Sequence, residues 1–549
     1  MAYQSAAGYS AVIRPTNEMG SVRVPSNYRE ALKGPHAEYW KRAIQEELSG
    51  LMQRDTWHSM RECDLPPGAN LMNCHFVFDL KRTSSGSIEK WKARLVADGN
   101  TQRDGVDFDR IFSTVVKLQT LRMLLVVAVA KGYTLSSADV RQAFLQGTIK
   151  EDLYMRMPPS LPRLDEKGNR LIVKLKRSLY GLKQAARIWN EVLVKFLTTW
   201  GFIQSTIDTC MFAYKGEGGN LIVAIWVDDA VIAASYHKLR ERFVKDLNAR
   251  FPVDDRGDLE WVLGVQVTYD QRSRSLKLSQ ELYINDLVQR HAPHLPKHGR
   301  RYDTPMSELE TLSRSQCPAE GSPEKNDMSS KKEEYMTVIG ALLWLAAFTR
   351  PDVTYAASVL ARFVANPALV HYMAMQRVLS YLASTADHVM IYRPRTESGL
   401  IAYTDANWSE QFSTAGMVAL LYGCPIAWYS RLQRSVSHSS AEAEFQAASM
   451  AAREVTFLRE ILTDLQGSYQ TPTPLYIDNK SAIDMTFDPV AFKKTKHILR
   501  DAYYLRDLVA RGVFGPKHVG STDQLGDTFT KPLGRALFQS SRAQLVRCE

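Results

Sequence analysis

Leu221 to Ile225 is an unbroken apolar run, and Ala230 to Ala234 is another. Between them lies Trp226-Val227-Asp228-Asp229. The pattern predicts a strand, a tight turn and a second strand, with two carboxylates on the turn. Adjacent side chains on a strand point to opposite faces, so a turn is needed to aim both acids at one place. Taken alone, Asp-Asp at a hairpin tip is more often a solvated structural turn than a catalytic pair.

The same reading lays out the rest of the chain. Residues 1–27 are polar and turn-rich and are expected to form a flexible arm. Helical spacing of Ala31, Trp40, Ala43, Ile44, Leu48 and Leu51 predicts an amphipathic helix over Tyr28 to Leu51. Phe76 to Lys81 and Ile88 to Ala97 read as a hairpin around Ser84-Ser85-Gly86-Ser87. Lys90, Lys92 and Arg94 share one face of its second strand. That face is either solvated or a phosphate-binding surface, since Lys and Arg pair with phosphate oxygens. Thr120 to Lys131 is an apolar helix, followed by a short strand that ends at Asp139, a residue that could also cap a helix.

After Leu171 to Leu175, a strand, the loop Ser178 to Lys183 opens a helix running to about Thr199. Helices follow over Leu239–Phe251 and Gln280–His291, with strands at Leu259–Val267 and Leu276–Leu278. Residues 307–334 are rich in Ser, Pro, Glu and Lys and are expected to be a linker. Three helices come next, Tyr335–Ala347, Val353–Val364 and His371–Ala383. From about Thr396 the order is three strands, a long helix from Ser439, a strand ending at Asp478, a helix, a strand to His518, and a helix over Gln524–Phe529. That order makes a mixed α/β sheet able to gather Asp405, Glu444, Asp478 and Asp527.

Composition adds direction. At 549 residues, with 45% hydrophobic and 23% charged positions, the chain is long enough for about three or four globular domains. A net charge of +10 points to an anionic partner, nucleic acid first. The six cysteines form no Cys-x-x-Cys pair, which suits a reducing compartment and gives no zinc module. No secretory signal opens the sequence, and no apolar run reaches the roughly 18 residues of a membrane helix, so no membrane association is expected.

Asp139, Asp228 and Asp229 supply three carboxylates at two strand ends. Phosphoryl transfer to a 3′-hydroxyl on two Mg²⁺ ions, about 3.5–4 Å apart, calls for such a set. Mg²⁺ takes few protein carboxylates and keeps waters and substrate phosphates as its other ligands. Asp405, Glu444, Asp478 and Asp527 suit the hydrolytic version, in which water is the nucleophile.

Many stretches, in order from about Tyr28 to Leu533, carry a family resemblance. They are Lys92–Ala97, Phe112–Lys117, Asp139-Val140, Ala143–Leu145, Ser178–Ala185, Val227–Asp229, Leu263-Gly264, Thr304–Met306 and Thr349–Asp352. In the last domain they are Tyr403–Ala406, Ser439–Phe445, Asp478-Asn479, Thr495–Ile498 and Asp527–Lys531. The sequence resembles the reverse transcriptase–ribonuclease H region of a copia-type LTR retrotransposon Pol polyprotein.

The resemblance implies an α+β multidomain fold: a right-hand polymerase with fingers, palm and thumb, a connection, and a ribonuclease H-like α/β domain. It places the N-terminal helix, fingers and start of the palm in 28–138, the palm with a fingers insertion in 139–270, the thumb in 271–306, linker and connection in 307–395, and the ribonuclease H-like domain in 396–549. Asp139, Asp228 and Asp229 would bind polymerase metals, and Asp405, Glu444, Asp478 and Asp527 nuclease metals, Mg²⁺ or Mn²⁺. Lys92 and Arg94 would hold the incoming triphosphate. Phe144 would reject a 2′-hydroxyl, or be a core residue. Gln184 and Arg187 would border nucleotide and template, and Leu263-Gly264 would grip the primer end. His518 could shuttle a proton or help product leave, whereas His497 reads as structural.

Implied partners are an RNA template, a DNA or tRNA primer, an RNA–DNA hybrid and deoxynucleoside triphosphates, and the resemblance allows a homodimer. It also implies cytoplasmic particles, with nuclear entry a further expectation. Four departures stand out. Trp226 replaces the usual Tyr or Phe, and Asn407 replaces a common second acid. The segment Ser409–Gly416 is shorter than usual and lacks its arginine. Glu442 and Glu444 lie about 200° apart on a helix, so one of them can face the metals, and Glu-Phe-Gln-Ala favours Glu444. With no capsid, protease or integrase pattern, the expectation is a fragment, a processed product or a truncated relic. The alternative function is an inactive or nuclease-dead, domesticated nucleic-acid-binding protein.

Overall fold

The computed structural model describes residues 22–82, 88–109, 115–295, 302–409, 411–487 and 499–548. The expected helix over Tyr28 to Leu51 is two helices, α1 (Tyr28–Lys33) and α2 (Ala37–Gln53). Gly34-Pro35 divides them, because Pro removes a backbone donor and turns the residue before it out of the helical region. Asn27 caps α1 by accepting from the Glu30 amide at 3.0 Å. Strands β1 (Trp57–Arg61), β2 (Leu71–Met72), β3 (Cys74–Arg82) and β4 (Ile88–Ala97) follow. The hairpin β3–β4 packs on α2 through Trp40, Phe78 and Trp91. Its expected turn, Ser84–Ser87, lies outside the described residues, as do residues 1–21 of the arm.

The next helix, α3 (Leu118–Lys131), is buried nearly all round and ends at Gly132 with φ of 67°. Strands β5 (Thr134–Val140), β6 (Tyr154–Arg156) and β7 (Leu171–Leu175) come next, then α4 (Ala185–Trp200). They are followed by β8 (Ile203–Gln204), β9 (Met211–Gly216), β10 (Gly219–Trp226), β11 (Asp229–Ala234), α5 (His237–Arg250) and β12 (Val253–Asp258). Six of these form one antiparallel sheet in the order β12-β5-β11-β10-β9-β8. Helix α3 covers one face and α4 and α5 the other, and the central strands β10 and β11 are accordingly mostly apolar. A smaller sheet, β1-β7-β6-β2, lies beneath α2.

The stretch expected as one strand, Leu259–Val267, is instead split by a turn in a new sheet: β13 (Trp261–Val262) and β14 (Val265–Asp270) flank Leu263-Gly264. Both turn residues have positive φ, 50° and 77°. β15 (Ser275–Ser279) completes the hairpin and α6 (Glu281–His291) follows. The expected linker 307–334 is partly helical, because α7 (Pro323–Phe348) begins inside it. Ser322 accepts from the Lys325 amide and Pro323 occupies the first turn, two start signals that outweigh the polar composition. Helices α8 (Thr354–Ala361) and α9 (Leu369–Ser384) pack on α7 and α6 around a core of their own. β16 (Met390–Tyr392) then returns to pair with β15.

The last domain contains β17 (Leu400–Asn407), β18 (Thr414–Leu421), β19 (Cys424–Leu432), α10 (Ser440–Gln466), β20 (Thr473–Ile477), α11 (Lys480–Phe487), α12 (Leu499–Ala510), β21 (Phe514–His518) and α13 (Arg535–Leu545). Its sheet order is β19-β18-β17-β20-β21, antiparallel on the first side and parallel on the second. The segment expected as a helix over Gln524–Phe529 is a tighter 3₁₀ turn, Leu525–Phe529. The fold is therefore α+β and multidomain. Among the described residues no helix is long and apolar enough to cross a membrane.

Candidate functional site

Two acidic centres stand out, one in each large sheet. In the first, Asp139 on β5 lies directly opposite Asp229 on β11. Asp228 occupies the turn between β10 and β11, next to Val227, whose φ is 58°. A β-branched residue in the left-handed region is strained, and the surroundings hold it there. Trp189 Nε1 on α4 donates to the Val227 carbonyl at 2.6 Å, and the Val140 amide donates to the Asp228 carbonyl at 2.9 Å. Burial pushes the Asp228 carboxyl up, with Asp139 adding to the effect. The Asp229 carboxyl is pushed up to about 6 by burial and by its two acidic neighbours, against the pull of Arg256.

Two cations of the β3–β4 hairpin face these acids. Lys92 and Arg94 are close enough to pull Asp228 back down. Lys92 is itself depressed by burial and then by Arg94. Arg94 lies 5.8 Å over the Tyr180 ring, and Tyr180 meets Phe144 edge-on at 5.1 Å. Phe144 is half-buried on the 3₁₀ turn Ala143–Gln146. The Leu263-Gly264 turn borders a cavity of about 170 Å³ that Asp229 and Trp226 also line.

Gln184 is placed differently from expectation. It is fully buried, donating to the Asp107 carbonyl at 2.9 Å and accepting from Gln102 at 3.0 Å. Its amide braces the loop before α4 and does not face the cleft. Arg187 lies in the first turn of α4 and pairs with Glu191 at 2.5 Å.

In the second centre, Asp405 lies within β17, Asp478 follows β20, and Glu444 reaches in from α10. Ligand oxygens of these three lie within 4.8 Å of one another. Glu444 Oε1 accepts from the Ala406 amide at 3.1 Å. Glu442 points away and accepts from the His438 amide at 3.0 Å at the start of the helix. Asp527 joins from the 3₁₀ turn, where Lys531 pairs with it at 2.9 Å. Thr530 donates to Asp405 Oδ2. Burial, and then the charge of Asp405, push the Glu444, Asp478 and Asp527 carboxyls upward. Buried Glu444 Oε2 and Asp527 Oδ1 have no hydrogen-bond partner among the described residues. Orphaned, mutually repelling carboxylate oxygens suit a divalent cation, so the donor set fits Mg²⁺ or Mn²⁺.

His518 is exposed at the end of β21, opposite Ile477, and its charge lowers Asp478. It stands beside the acids and outside their ligand set. His497 lies outside the described residues. The indole of Trp408 donates to the Ser437 carbonyl at 2.9 Å and ties the loop after β17 to the approach of α10.

Several residues at these centres escaped the sequence pattern. Arg256 on β12 bridges Asp139 and Asp229. Glu47 of α2, raised by burial, accepts from the Leu95 amide at 3.1 Å and fixes the cationic strand. Trp189 reaches the Val227 carbonyl and Thr530 reaches Asp405 across long sequence separations that local patterning does not reveal.

Comparison with known proteins follows the same outline. Residues 55–294 match the family model described as reverse transcriptase (RNA-dependent DNA polymerase). The chain is 33% identical over 548 residues to the retrovirus-related Pol polyprotein from transposon RE1 of Arabidopsis thaliana, covering 98% of this chain and 36% of that one. It is 31% identical over 522 residues to the corresponding polyprotein from transposon TNT 1-94 of Nicotiana tabacum, covering 94% and 38%. The chain thus spans roughly a third of the length of these relatives. A solved structure titled as the foamy viral protease-reverse transcriptase in complex with dsDNA matches with a TM-score of 0.45 at 13% identity, covering 88% of this chain and 83% of that one.

Proposed function

This chain belongs to the reverse transcriptase family of copia-type Pol polyproteins, and from that premise we propose that it copies RNA, and DNA, into DNA and cuts the RNA of an RNA–DNA hybrid. The observation that carries the polymerase reading is Asp139 opposite Asp229, with Asp228 held in the strained turn between the strands.

At the first centre, Asp139, Asp228 and Asp229 would hold Mg²⁺, or Mn²⁺ in its place. At the second, Asp405, Glu444, Asp478 and Asp527 would do so. When bound, the metals neutralise charge on the transferring phosphate and lower the pKa of the attacking hydroxyl or water. The protein's own groups do the rest. Lys92 and Arg94 pair with the oxygens of an incoming deoxynucleoside triphosphate. Tyr180 orients Arg94 from below and backs Phe144, whose ring fills the space a 2′-hydroxyl would need. The Leu263-Gly264 turn, beside the Asp229 cavity, steadies the primer end. At the second centre Thr530 orients Asp405 and Lys531 orients Asp527. His518, at the solvent edge next to Asp478, exchanges protons with the leaving product.

Primer extension on a labelled RNA template with Mg²⁺, following DNA and RNA together, tests both readings. Extension with template cutting is expected. Asp228→Asn is expected to abolish extension alone and Asp478→Asn to abolish cutting alone. Folded, duplex-binding protein that neither extends nor cuts would overturn the enzyme reading in favour of a binding relic. Extension with intact RNA would overturn the nuclease half.

A further inference from the structure

The polymerase acids already hold a cation, and it comes from the chain. Arg256 donates from Nη2 to Asp139 Oδ2, and from Nη1 to Asp229 Oδ1 at 2.9 Å. A bulge makes this reach possible. β12 pairs with β5 at Asp254↔Asp139 and Asp255↔Ala138, and next at Asp258↔Ser136. The extra residue along β12 re-aims a side chain, as bulges beside active sites do. Gly257, with φ of 70°, supplies the left-handed step.

The bulge is clamped from below. Arg240, buried on α5, holds both oxygens of Asp255 and donates from Nε to Ser136 Oγ at 3.0 Å. The Gly257 amide donates to Asp255 Oδ1 at 3.0 Å. The backbone under Arg256 is therefore fixed, while its side chain is 45% exposed. Arg256 also lines the cavity of about 170 Å³, together with Trp261, Leu263 and Gly264.

The same carboxylate oxygens cannot serve a guanidinium and a pair of divalent cations together. We propose that Arg256 is a positioning residue that occupies the polymerase acids until primer–template arrives, then transfers to a backbone phosphate of the primer strand and releases the acids to metal. The inference rests on the polymerase reading. Arginine presents the same fork to a phosphate as to a carboxylate, so its donors stay satisfied through the exchange. The consequence is linkage: nucleic acid tightens metal binding, and metal tightens nucleic-acid binding by the same factor. In the absence of primer–template the centre binds metal more weakly.

The test is Mn²⁺ binding, read by electron paramagnetic resonance, on the full chain carrying Asp405→Asn and Asp478→Asn, so that the signal comes from the first centre. Binding is measured with and without a DNA-primed RNA duplex, and the duplex alone is subtracted. Primer–template is expected to tighten Mn²⁺ binding about tenfold in this background. Added Arg256→Gln is expected to tighten binding about tenfold without duplex and to remove most of the duplex effect. Arg256→Lys, which keeps the charge, is expected to fall between them. Arg141→Gln removes an equal charge from an arginine that pairs with Asp254 on the same strand, and is expected to leave the linkage intact. Unchanged Mn²⁺ affinity in Arg256→Gln, or an equal effect from Arg141→Gln, would overturn the proposal. If added Asp139→Asn changes no Mn²⁺ binding even in Arg256→Gln with duplex present, the polymerase reading itself falls.

Discussion

Trp189→Phe asks whether one indole holds the Asp228 turn in its working shape. Val227 sits at φ of 58°, a conformation that costs on the order of 1–3 kcal/mol and survives only where neighbours impose it. Trp189 Nε1 donates to the Val227 carbonyl at 2.6 Å, and the rest of the ring packs edge-on against Phe251 at 5.2 Å. Phenylalanine keeps most of that packing and loses the donor. A hydrogen bond of this kind contributes about 0.5–1.5 kcal/mol net, and leaving its partner unsatisfied costs about 1–3 kcal/mol. The loss is the same size as the strain it opposes, so relaxed turns compete with the working one. If the working turn falls to about a tenth of molecules, nucleotide incorporation slows about tenfold, since 1.4 kcal/mol is one decade. The assay is single-nucleotide incorporation on a preformed primer–template, with the cutting rate of the same preparation as internal reference. Full incorporation by Trp189→Phe would refute the reasoning, and so would cutting that falls in parallel.

On the proposed role of Phe144, Phe144→Val opens space for a 2′-hydroxyl, and ribonucleotide incorporation is expected to rise about 10- to 100-fold relative to deoxynucleotide; competition between the two substrates checks it. Gly416→Ala would set a Cβ 2.7 Å from Thr530 Cγ2 and 2.8 Å from Phe529 Cβ. Overpacking of about 1–3 kcal/mol would push the 3₁₀ turn off Asp405, so cutting is expected to fall while extension persists. Burial and like charge raise the Glu444, Asp478 and Asp527 carboxyls above their unfolded values, so the folded, metal-free protein binds their protons more tightly than the unfolded chain. Their contribution to stability is then full below the ordinary carboxylate range and falls as pH rises above it. Melting in EDTA from pH 5 to 8 is expected to show that decline, and Glu444→Gln to flatten it; parallel curves for the two proteins would count against it.

Much of both centres was legible because each acid closes a recognisable element. Asp139 and Asp405 lie near the ends of apolar strands, Asp228 and Asp229 break one, and Glu444 lies one turn into a capped helix. The residues that position them were not. Arg256 belongs to Val253-Asp254-Asp255-Arg256-Gly257-Asp258, which reads as a solvated acidic loop; only the offset of β12 against β5 aims it inward. The resemblance put Gln184 beside nucleotide and template, yet its amide is used by Gln102 and Asp107, about 80 residues earlier in the chain. Part of the linker expected over 307–334 is helical for a local reason: Ser322-Pro323-Glu324 starts a helix whose apolar end, from Tyr335 onward, is long enough to pull a polar beginning with it.

The units that carry the two centres share a joint, and a buried arginine lies in it. Arg122 lies on α3, beneath the sheet that carries Asp139, and is 4% exposed. Its Nε donates to the Ile426 carbonyl on β19 at 2.7 Å. Its Nη1 donates to the Ala347 and Phe348 carbonyls at 2.7 and 3.3 Å, at the C-terminal end of α7 where a cation is favoured. The guanidinium lies 3.9 Å over Trp428 of β19, and Trp428 in turn donates to the Ala346 carbonyl at 2.7 Å. Gln119 reaches Glu454 of α10 at 3.1 Å, and Lys117 lies 4.0 Å over Phe457. Apolar residues of both sheets accordingly belong to one continuous core. Arg122→Met keeps the stem and removes the charge and its donors. Three carbonyls lose a charged donor, at about 1.5–3 kcal/mol for each bond to a charged group where the bond is good, and the cation–π contact goes with them. A loss of about 3 kcal/mol or more concentrated at one interface uncouples the units before it unfolds either. Calorimetry is therefore expected to resolve one joint transition into two in Arg122→Met, with extension and cutting on separate short substrates retained. On a long template the two activities are expected to lose their fixed spacing, because Arg122 ties α3 to β19 by one hydrogen bond and to the end of α7 by two. A single transition at the original temperature, with cut sites as sharply placed as before, would show that the connection helices alone carry the coupling.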